Sequence, residues 1–203
     1  MIVMVTGGAR SGKSAFAEKW CMKHAASGLY IATAQAFDDE MRRRIGLHRL
    51  QREESGFPWT TVEEPLELAA LLAGESPGRL GGAALPDRSG PEKGLAPVVL
   101  VDCLTLWLSN VLLAAGAEGD AAAEEEAVAL EVERLVTAVA SYPGRLVLVT
   151  NEVGSGIVPE YPLGRRYRDW AGILNRKIAA VSDQVFLVTA GIAIELKSRE
   201  YKL

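Results

Sequence analysis

The sequence predicts an α/β fold with a mainly parallel sheet, helices on both faces and a pair of strands at the C-terminal end. Short runs such as 98–102 and 146–150 are apolar almost throughout, which is typical of parallel strands buried on both faces. Helical segments alternate with these runs, and the first run leads into a glycine-rich loop. At 203 residues the chain fits a single domain, residues 1–203, around one core.

The glycine-rich loop has the pattern of a phosphate-binding loop. Gly7, Gly12, Lys13 and Ser14 fill the fixed positions of G-x-x-x-x-G-K-[ST] after an apolar strand. The backbone N–H groups of such a loop surround a phosphate, the lysine adds positive charge, and the final hydroxyl binds Mg²⁺. A helix that begins at about Ser14 directs its N-terminal dipole at the same anion. The sequence therefore predicts a nucleoside triphosphate site.

Strand and helix signals continue regularly to residue 73. Asp38 and Asp39 are typical of a helix N-terminus, and Pro65 is typical of the first turn of another helix. The predicted elements are a helix to about 24, a strand at 29–33, a helix from 38 or 39 to about 54, a strand at 59–62 and a helix at 65–73. Residues 74–97 contain six glycines and four prolines, which predicts a long surface loop or insertion.

The same alternation resumes after the insertion. Pro143 and Gly144 end the longest predicted helix, and Gly191 lies in a short turn between the last two strands. The predicted elements are a strand at 98–102, helices at 104–113 and 121–142, a strand at 146–150, a helix at 163–181 and strands at 185–188 and 192–196.

Composition and charge argue against several classes of protein. The formal net charge of -4 provides no positive field for nucleic acid. No apolar run approaches the ~20 residues of a transmembrane helix, so we expect no membrane span. We also expect no signal peptide, because Met1 begins the first core strand. Cys21 and Cys103 lack metal-ligand spacing and predict buried thiols in a reducing cytoplasm.

Candidate site residues follow several predicted strands. Ligands of parallel sheets bind beyond the carboxyl ends of the strands, and this rule places Gly7, Thr33, Asp102 and Asn151 along one edge. Asp102 ends an apolar strand, as does the acid on the magnesium side of phosphate-loop enzymes. Capping of the following helix is the alternative role for its carboxylate.

Segment 38–52 is unusual because its histidine is surrounded by arginines. On a helix, His48 shares a face with Met41 and Ile45, and nearby cations favour its neutral, nucleophilic form. The neighbouring arginines suit a triphosphate that is attacked at its α-phosphorus. A solvated basic helix with a packed, structural histidine explains the same composition. The residues alone therefore leave the role of His48 open.

Six segments, spread from the first strand towards the last, match one enzyme family in order. They are Gly7-Gly-Ala-Arg-Ser-Gly-Lys-Ser14, Tyr30-Ile-Ala-Thr33, Asp38-Asp-Glu-Met41, Arg44-Ile-Gly-Leu-His-Arg49, Thr61-Val-Glu-Glu-Pro65 and Thr150-Asn-Glu-Val-Gly-Ser-Gly-Ile-Val-Pro159. In these segments the chain resembles the bifunctional adenosylcobinamide kinase / adenosylcobinamide-phosphate guanylyltransferases of cobalamin synthesis. The resemblance implies a RecA-like sheet in a cytoplasmic homotrimer.

The resemblance also implies two reactions and the residues that carry them. Adenosylcobinamide would be phosphorylated with ATP or GTP, and its phosphate would then receive GMP from GTP, with Mg²⁺ present. In the family a histidine carries the GMP covalently, and the matching position is His48. The resemblance also implies that Lys13 takes part in catalysis and that Ser14 and Asp102 bind the Mg²⁺ ion. The implied nucleotide contacts are Gly7, Gly8, Ala9, Arg10, Ser11, Gly12, Lys13, Ser14, Ala32, Thr33, Ala34, Arg49, Leu50, Gln51, Arg52, Glu63 and Asp102.

Two other functions are open to a phosphate-loop protein of this composition. One is a single-activity kinase for another small molecule, in which His48 is structural. The other is a RecA-like regulatory ATPase that acts on a protein partner. Neither explains a histidine set among arginines. The insertion at 74–97 is longer than the connection usual in the family that the chain resembles.

Overall fold

The structure, a computed structural model, describes residues 1–35, 39–75, 96–116 and 121–202. Within these ranges strands and helices alternate as expected. The strands are β1 (Ile2–Thr6), β2 (Gly28–Ala32), β3 (Trp59–Glu63), β4 (Val98–Asp102), β5 (Arg145–Val149), β6 (Gln184–Thr189) and β7 (Ile192–Glu195). The helices are α1 (Lys13–His24), α2 (Asp39–Glu54), α3 (Leu68–Ala73), α4 (Leu104–Ala115), α5 (Ala121–Ala140) and α6 (Pro162–Val181), and a 3₁₀ turn (Lys197–Arg199) follows β7.

All of these strands belong to one sheet, in the order β3-β2-β4-β5-β1-β6-β7. Neighbouring strands from β3 to β6 are parallel, and only the last pair, β6 and β7, is antiparallel. Strand β4, which ends at Asp102, is separated from the phosphate-loop strand β1 by β5, as in a RecA-like sheet. The predicted α/β fold with its C-terminal strand pair is confirmed.

Alternate side chains of the central strands pack against different layers of helices. Ile2 and Met4 of β1 belong to a core that also contains side chains of α3, α4, α5 and α6. Val3 and Val5 belong to a second core, on the side of α1. All four side chains are buried. Because both faces are covered, β1 is fixed by packing, and the loop that follows it starts from a rigid position.

Helix α3 starts three residues later than predicted. The Glu64 carboxylate is buried, and its Oε1 accepts hydrogen bonds from the N–H groups of Leu66 at 3.1 Å and Glu67 at 2.7 Å. Residues 64–67 therefore form a turn closed by a side chain, and Pro65 lies in this turn rather than in the helix. The other boundaries differ from the predicted ones by a few residues at most. Asp38 and most of the predicted insertion, residues 76–95, lie outside the described residues.

Candidate active site at the carboxyl edge of the sheet

The phosphate loop connects β1 to α1 and is closely packed at its glycines. A Cβ atom on Gly7 would lie 2.3 Å from the carbonyl oxygen of Val188, so only glycine fits there. Gly12 has φ 93°, which favours glycine, and it precedes the first residue of α1. The N–H of Gly191, in the turn between β6 and β7, donates to the Ser11 carbonyl at 2.9 Å. The strand pair β6–β7 therefore packs closely against the loop at Gly7 and Ser11.

The start of α1 offers an anion site. The N-cap residue of α1 is Gly12, which has no side chain. The first N–H groups of α1 therefore receive no side-chain hydrogen bond from the N-cap position. Lys13 is buried, and its Nζ donates to the Gly8 carbonyl at 3.2 Å, which folds the ammonium back over the loop. The backbone N–H groups, the helix dipole and the lysine together suit a phosphate group.

The carboxyl ends of β2 and β4 are joined through Thr33. Its hydroxyl donates to the Cys103 carbonyl at 2.7 Å and accepts from the Cys103 N–H at 2.9 Å. Its own N–H donates to the Asp102 carbonyl at 3.2 Å. Thr33 is fully buried. This residue therefore fixes the backbone around Asp102, and its hydroxyl is already occupied within the protein.

The end of β5 lies beside the phosphate loop. The Asn151 side-chain amide donates to Thr105 Oγ1 at 2.8 Å, and the N–H of Glu152 donates to the Gly7 carbonyl at 3.2 Å. The structure thus brings Gly7, Thr33, Asp102 and Asn151 to one edge of the sheet, as the strand pattern predicts.

Two buried asparagines that belong to no motif in the sequence support this edge from the helices. Asn110 of α4 donates to the Thr33 carbonyl at 2.9 Å. Asn175 of α6 accepts from the Thr150 hydroxyl at 2.7 Å and donates to the Asn151 carbonyl at 3.0 Å. An asparagine at a core position of an otherwise apolar helix face is the signal that identifies such residues, because a buried amide requires hydrogen-bond partners.

A cluster of charged and aromatic side chains surrounds Asp102. The Tyr30 hydroxyl donates to Asp102 Oδ2 at 3.0 Å. The guanidinium carbon of Arg52, on α2, lies 3.7 Å from the centroid of the Tyr30 ring. Arg52 is only 5% exposed, and its Nε has no hydrogen-bond partner among the described residues. Glu18 of α1 interacts electrostatically with both Arg52 and Asp102. Nothing in the local sequence pattern indicates that Tyr30 and Glu18 belong to the site.

Burial controls the protonation of this cluster. Desolvation raises the pKa of Glu18 from 4.5 to about 7; the Arg52 cation opposes this shift and the Asp102 charge adds to it. Burial, reinforced by the Asp102 charge, also raises the pKa of Tyr30, so this hydroxyl stays protonated and donates to Asp102. The pKa of the Cys103 thiol rises to about 11, mainly through burial, and Cys103 is therefore not a thiolate nucleophile at neutral pH.

The raised pKa of Glu18 predicts a pH dependence of stability. Between pH 4.5 and about 7 the folded protein binds a proton that the unfolded chain has released, so the free energy of unfolding falls as pH rises. After a discount for the partial exposure of this side chain, we expect a loss of about 1–2 kcal/mol from this group. Glu18→Gln is expected to remove this component. Chemical denaturation of the wild type and the Glu18→Gln variant at pH 5 and pH 8 measures the change in the free energy of unfolding. An equal change with pH in the two proteins would contradict the prediction.

The residues of α2 that the resemblance implies as nucleotide contacts differ in how deeply they are buried. Arg49 and Leu50 are exposed, whereas Arg52 is buried against Tyr30. The backbones of His48 and Gln51 belong to α2, and their side chains lie outside the part that the structure describes. The structure thus places His48 one turn before Arg52.

The remaining predicted contacts lie along the same edge. Ala32, the last residue of β2, is paired in register with Glu63 on one side and Asp102 on the other. Glu63 is exposed at the end of β3, and Ala34 follows two residues after Ala32. The ends of β3, β2 and β4 therefore present these residues side by side.

Three arginines near the start of α6 support the loop after β5. Arg165 and Arg168 donate to backbone carbonyls of residues 154–160. Arg166 forms an ion pair with Glu124 of α5, with a distance of 2.6 Å between Nη1 and Oε2. These contacts give all three guanidinium groups partners within the protein.

The residues present fit a magnesium ion that is shared with a nucleotide. No group of three or more His, Cys, Asp or Glu side chains suited to a metal occurs among the residues that the structure describes. Mg²⁺ in nucleotide sites is usually held by one or two protein oxygens together with substrate phosphates. The Ser14 hydroxyl, beside the phosphate loop, and the Asp102 carboxylate supply oxygens of this kind.

Comparison with known proteins identifies the family. The family model described as cobinamide kinase / cobinamide phosphate guanyltransferase matches residues 3–196. The chain belongs to this family. The match covers nearly the whole sheet, from β1 to β7, so it includes every element of the site described above.

Curated members of the cobinamide kinase / guanyltransferase family align with nearly the whole chain. The bifunctional adenosylcobalamin biosynthesis protein CobU of Escherichia coli (strain K12) is 40% identical over 202 residues, which cover 97% of this chain and 100% of that protein. CobU of Salmonella typhimurium is 40% identical over 204 residues, with the same coverage. CobP of Pseudomonas aeruginosa is 42% identical over 194 residues and covers 96% of each chain. In the part of this family member that the structure describes, no helix has the length and apolar character needed to cross a membrane.

Proposed function

We propose that this enzyme carries out two successive reactions on one corrinoid. It phosphorylates the aminopropanol hydroxyl of adenosylcobinamide with ATP or GTP, and it then transfers GMP from GTP to adenosylcobinamide phosphate to form adenosylcobinamide-GDP. The observation that carries the proposal is the family match over residues 3–196 in a chain whose phosphate loop is complete. The names of the relatives from three bacteria, which describe bifunctional proteins of adenosylcobalamin biosynthesis, support it.

In the kinase step the phosphate loop positions the γ-phosphate. The N–H groups of Gly7 to Ser14 and the Lys13 ammonium offset the charge of the phosphates. The hydroxyl oxygen of the corrinoid attacks the γ-phosphorus, the bond from this phosphorus to the bridging oxygen breaks, and the nucleoside diphosphate leaves while the hydroxyl proton is released. Ala32, Thr33, Ala34 and Glu63 are the proposed further nucleotide contacts at the neighbouring strand ends.

In the transfer step His48 is the proposed nucleophile. Its neutral imidazole nitrogen forms a bond to the α-phosphorus of GTP, the bond to the bridging oxygen breaks, and pyrophosphate leaves. A phosphate oxygen of adenosylcobinamide phosphate then attacks this phosphorus, which breaks the P–N bond and regenerates the imidazole. Arg49, Leu50 and Gln51 are the proposed nucleotide contacts on α2. Arg52, which the resemblance also implies as a contact, is buried against Tyr30, and its proposed contribution is to hold α2 in place.

Ser14 and Asp102 are the proposed Mg²⁺ ligands of both steps. The ion would supply charge neutralisation at the β- and γ-phosphates.

We also propose a homotrimer in the cytoplasm. Exposed apolar side chains at Ile157, Val158 and Tyr161 support a subunit contact, and the free, buried thiols of Cys21 and Cys103 suit a reducing compartment. Sedimentation equilibrium tests the assembly, and a monomer across the micromolar range would contradict it.

Labelled GTP tests the proposed function directly. The purified protein is incubated with Mg²⁺ and GTP labelled at the α- or the γ-phosphate. We expect α-label on the protein in an acid-labile, alkali-stable bond, which is released into product when adenosylcobinamide phosphate is added. We expect γ-label to pass to adenosylcobinamide.

Each alternative function predicts a different result. Transfer of γ-label without α-label on the protein would identify a single-activity kinase. Hydrolysis that depends on another protein, with no label on either the enzyme or the corrinoid, would identify a regulatory ATPase.

A further inference from the structure

We propose that Tyr30 is a positioning residue for GMP transfer, because it ties the helix that carries His48 to the acid at the end of β4. One face of its ring receives Arg52 of α2, and its hydroxyl holds Asp102. The proposal rests on the role proposed for His48. Tyr30 acts through Arg52 and Asp102 and does not itself contact the substrate.

The contact between Arg52 and Tyr30 fixes the C-terminal part of α2. The guanidinium carbon lies 3.7 Å from the ring centroid, well within the ~6 Å range of a cation–π interaction. Both side chains are 5% exposed, so this interaction is not weakened by solvent as a surface pair would be. Removing a buried cation from the groups that compensate its charge is costly, so the contact with the Tyr30 ring resists displacement of Arg52.

The hydroxyl of Tyr30 connects this contact to the site. It donates to Asp102 Oδ2 at 3.0 Å across neighbouring parallel strands, where Tyr30 pairs in register with Leu100 and Ala32 with Asp102. The Trp59 ring packs edge-on beside the Tyr30 ring, with 6.0 Å between the ring centroids and an interplanar angle of 88°. The same tyrosine therefore fixes the direction of the Asp102 carboxylate and forms the surface on which α2 rests.

The spacing on α2 extends this anchoring to His48. Arg52 follows His48 by four residues, which is about one helical turn and ~6 Å along the axis, so the two positions share a face of α2. Fixing Arg52 therefore limits the movement of the turn that carries His48 relative to Asp102. For a reaction between two groups that must meet in one geometry, a displacement of ~1 Å costs up to about a hundredfold in rate.

Two substitutions separate the two contacts of Tyr30. Tyr30→Phe removes the hydrogen bond to Asp102 and keeps the ring under Arg52, whereas Tyr30→Leu removes both. Trp59→Phe is the matched control, since it alters the packing of the same aromatic cluster and leaves the Arg52 and Asp102 contacts in place. The measured quantities are the single-turnover rate of α-label incorporation from GTP, the rate of γ-phosphoryl transfer to adenosylcobinamide, and the hydrogen exchange of α2 amides.

We expect Tyr30→Phe to slow both reactions by a similar factor, because Asp102 serves both. Tyr30→Leu is expected to slow α-label incorporation by a further factor of about 10–100, with no comparable further loss in phosphoryl transfer. Amides of α2 near His48 are expected to exchange faster in Tyr30→Leu than in Tyr30→Phe, while those of α1 stay unchanged. Trp59→Phe is expected to stay within about twofold of the wild type in both reactions.

Several results would overturn the proposal. Equal rates of α-label incorporation in Tyr30→Phe and Tyr30→Leu would show that the Arg52 contact does not position His48. Parallel losses in both reactions and in thermal stability would identify Tyr30 as a purely structural residue. If Tyr30→Leu does not fold, Tyr30→Met, whose flexible side chain fills more of the space, takes its place in the comparison. Absence of α-label from the wild-type enzyme would instead contradict the proposed function itself.

Discussion

Replacement of His48 by alanine is expected to abolish α-label incorporation and GMP transfer, with a loss of about a thousandfold or more. Loss of the imidazole removes the nucleophile, and no water or neighbouring arginine forms the same covalent intermediate. The kinase step does not use the nucleophile, so phosphorylation of adenosylcobinamide is expected to continue within about threefold of the wild-type rate. Assays with α- and γ-labelled GTP measure the two steps separately.

His24 provides the matched control for this substitution, as the only other histidine of the chain. It ends α1, where it stacks on Trp20 with 4.1 Å between ring centroids. Its carbonyl accepts a hydrogen bond at 2.8 Å from Arg145, the first residue of β5, which places it at the opposite edge of the sheet from the phosphate loop. We expect His24→Ala to retain both activities. Retention of GMP transfer by His48→Ala would rule out His48 as the carrier.

Replacement of Lys13 by methionine is expected to lower both reactions by about a hundredfold to a thousandfold. Methionine occupies a similar volume, so the buried side chain is replaced without a large cavity, and the loss arises from the missing positive charge at the phosphates. Because the same loop serves both steps, the two rates should fall together. This common loss distinguishes Lys13 from His48, which acts in one step.

The exposed Lys19, also on α1, is the control for the loss of a lysine charge. We expect Lys19→Met to retain both activities. Steady-state kinetics with GTP then separate binding from catalysis. A raised KM with an unchanged kcat in Lys13→Met would show that Lys13 contributes equally to ground-state and transition-state binding, contrary to the prediction.

The linear pattern was sufficient to predict the sheet and the phosphate loop. Apolar runs such as Val98–Asp102 are continuous because both faces of the sheet are buried, and this signal is visible in any stretch of a few residues. The G-x-x-x-x-G-K-S spacing is equally local, since one strand, one loop and one helix start supply all of its groups. The common edge of Gly7, Thr33, Asp102 and Asn151 followed from a general rule for parallel sheets.

Other features depended on contacts between distant segments. The start of α3 at Leu68 is explained by the buried Glu64 carboxylate, which closes a turn that the presence of Pro65 does not reveal. The resemblance placed Arg52 among nucleotide contacts, and nothing in its charge indicated that it would be buried on an aromatic ring. Burial of a charged side chain depends on what is packed around it, which is not a local property.

The sequence by itself determined the fold class, the nucleotide loop and, through motifs in a fixed order, the family. These features are encoded by periodicity and spacing within short segments. Only the tertiary structure decided that Tyr30 lies between Arg52 and Asp102, and that Glu18 lies in the same cluster with a raised pKa. These residues come from four separate elements, and their interactions exist only when the sheet and helices bring them within a few ångströms of one another.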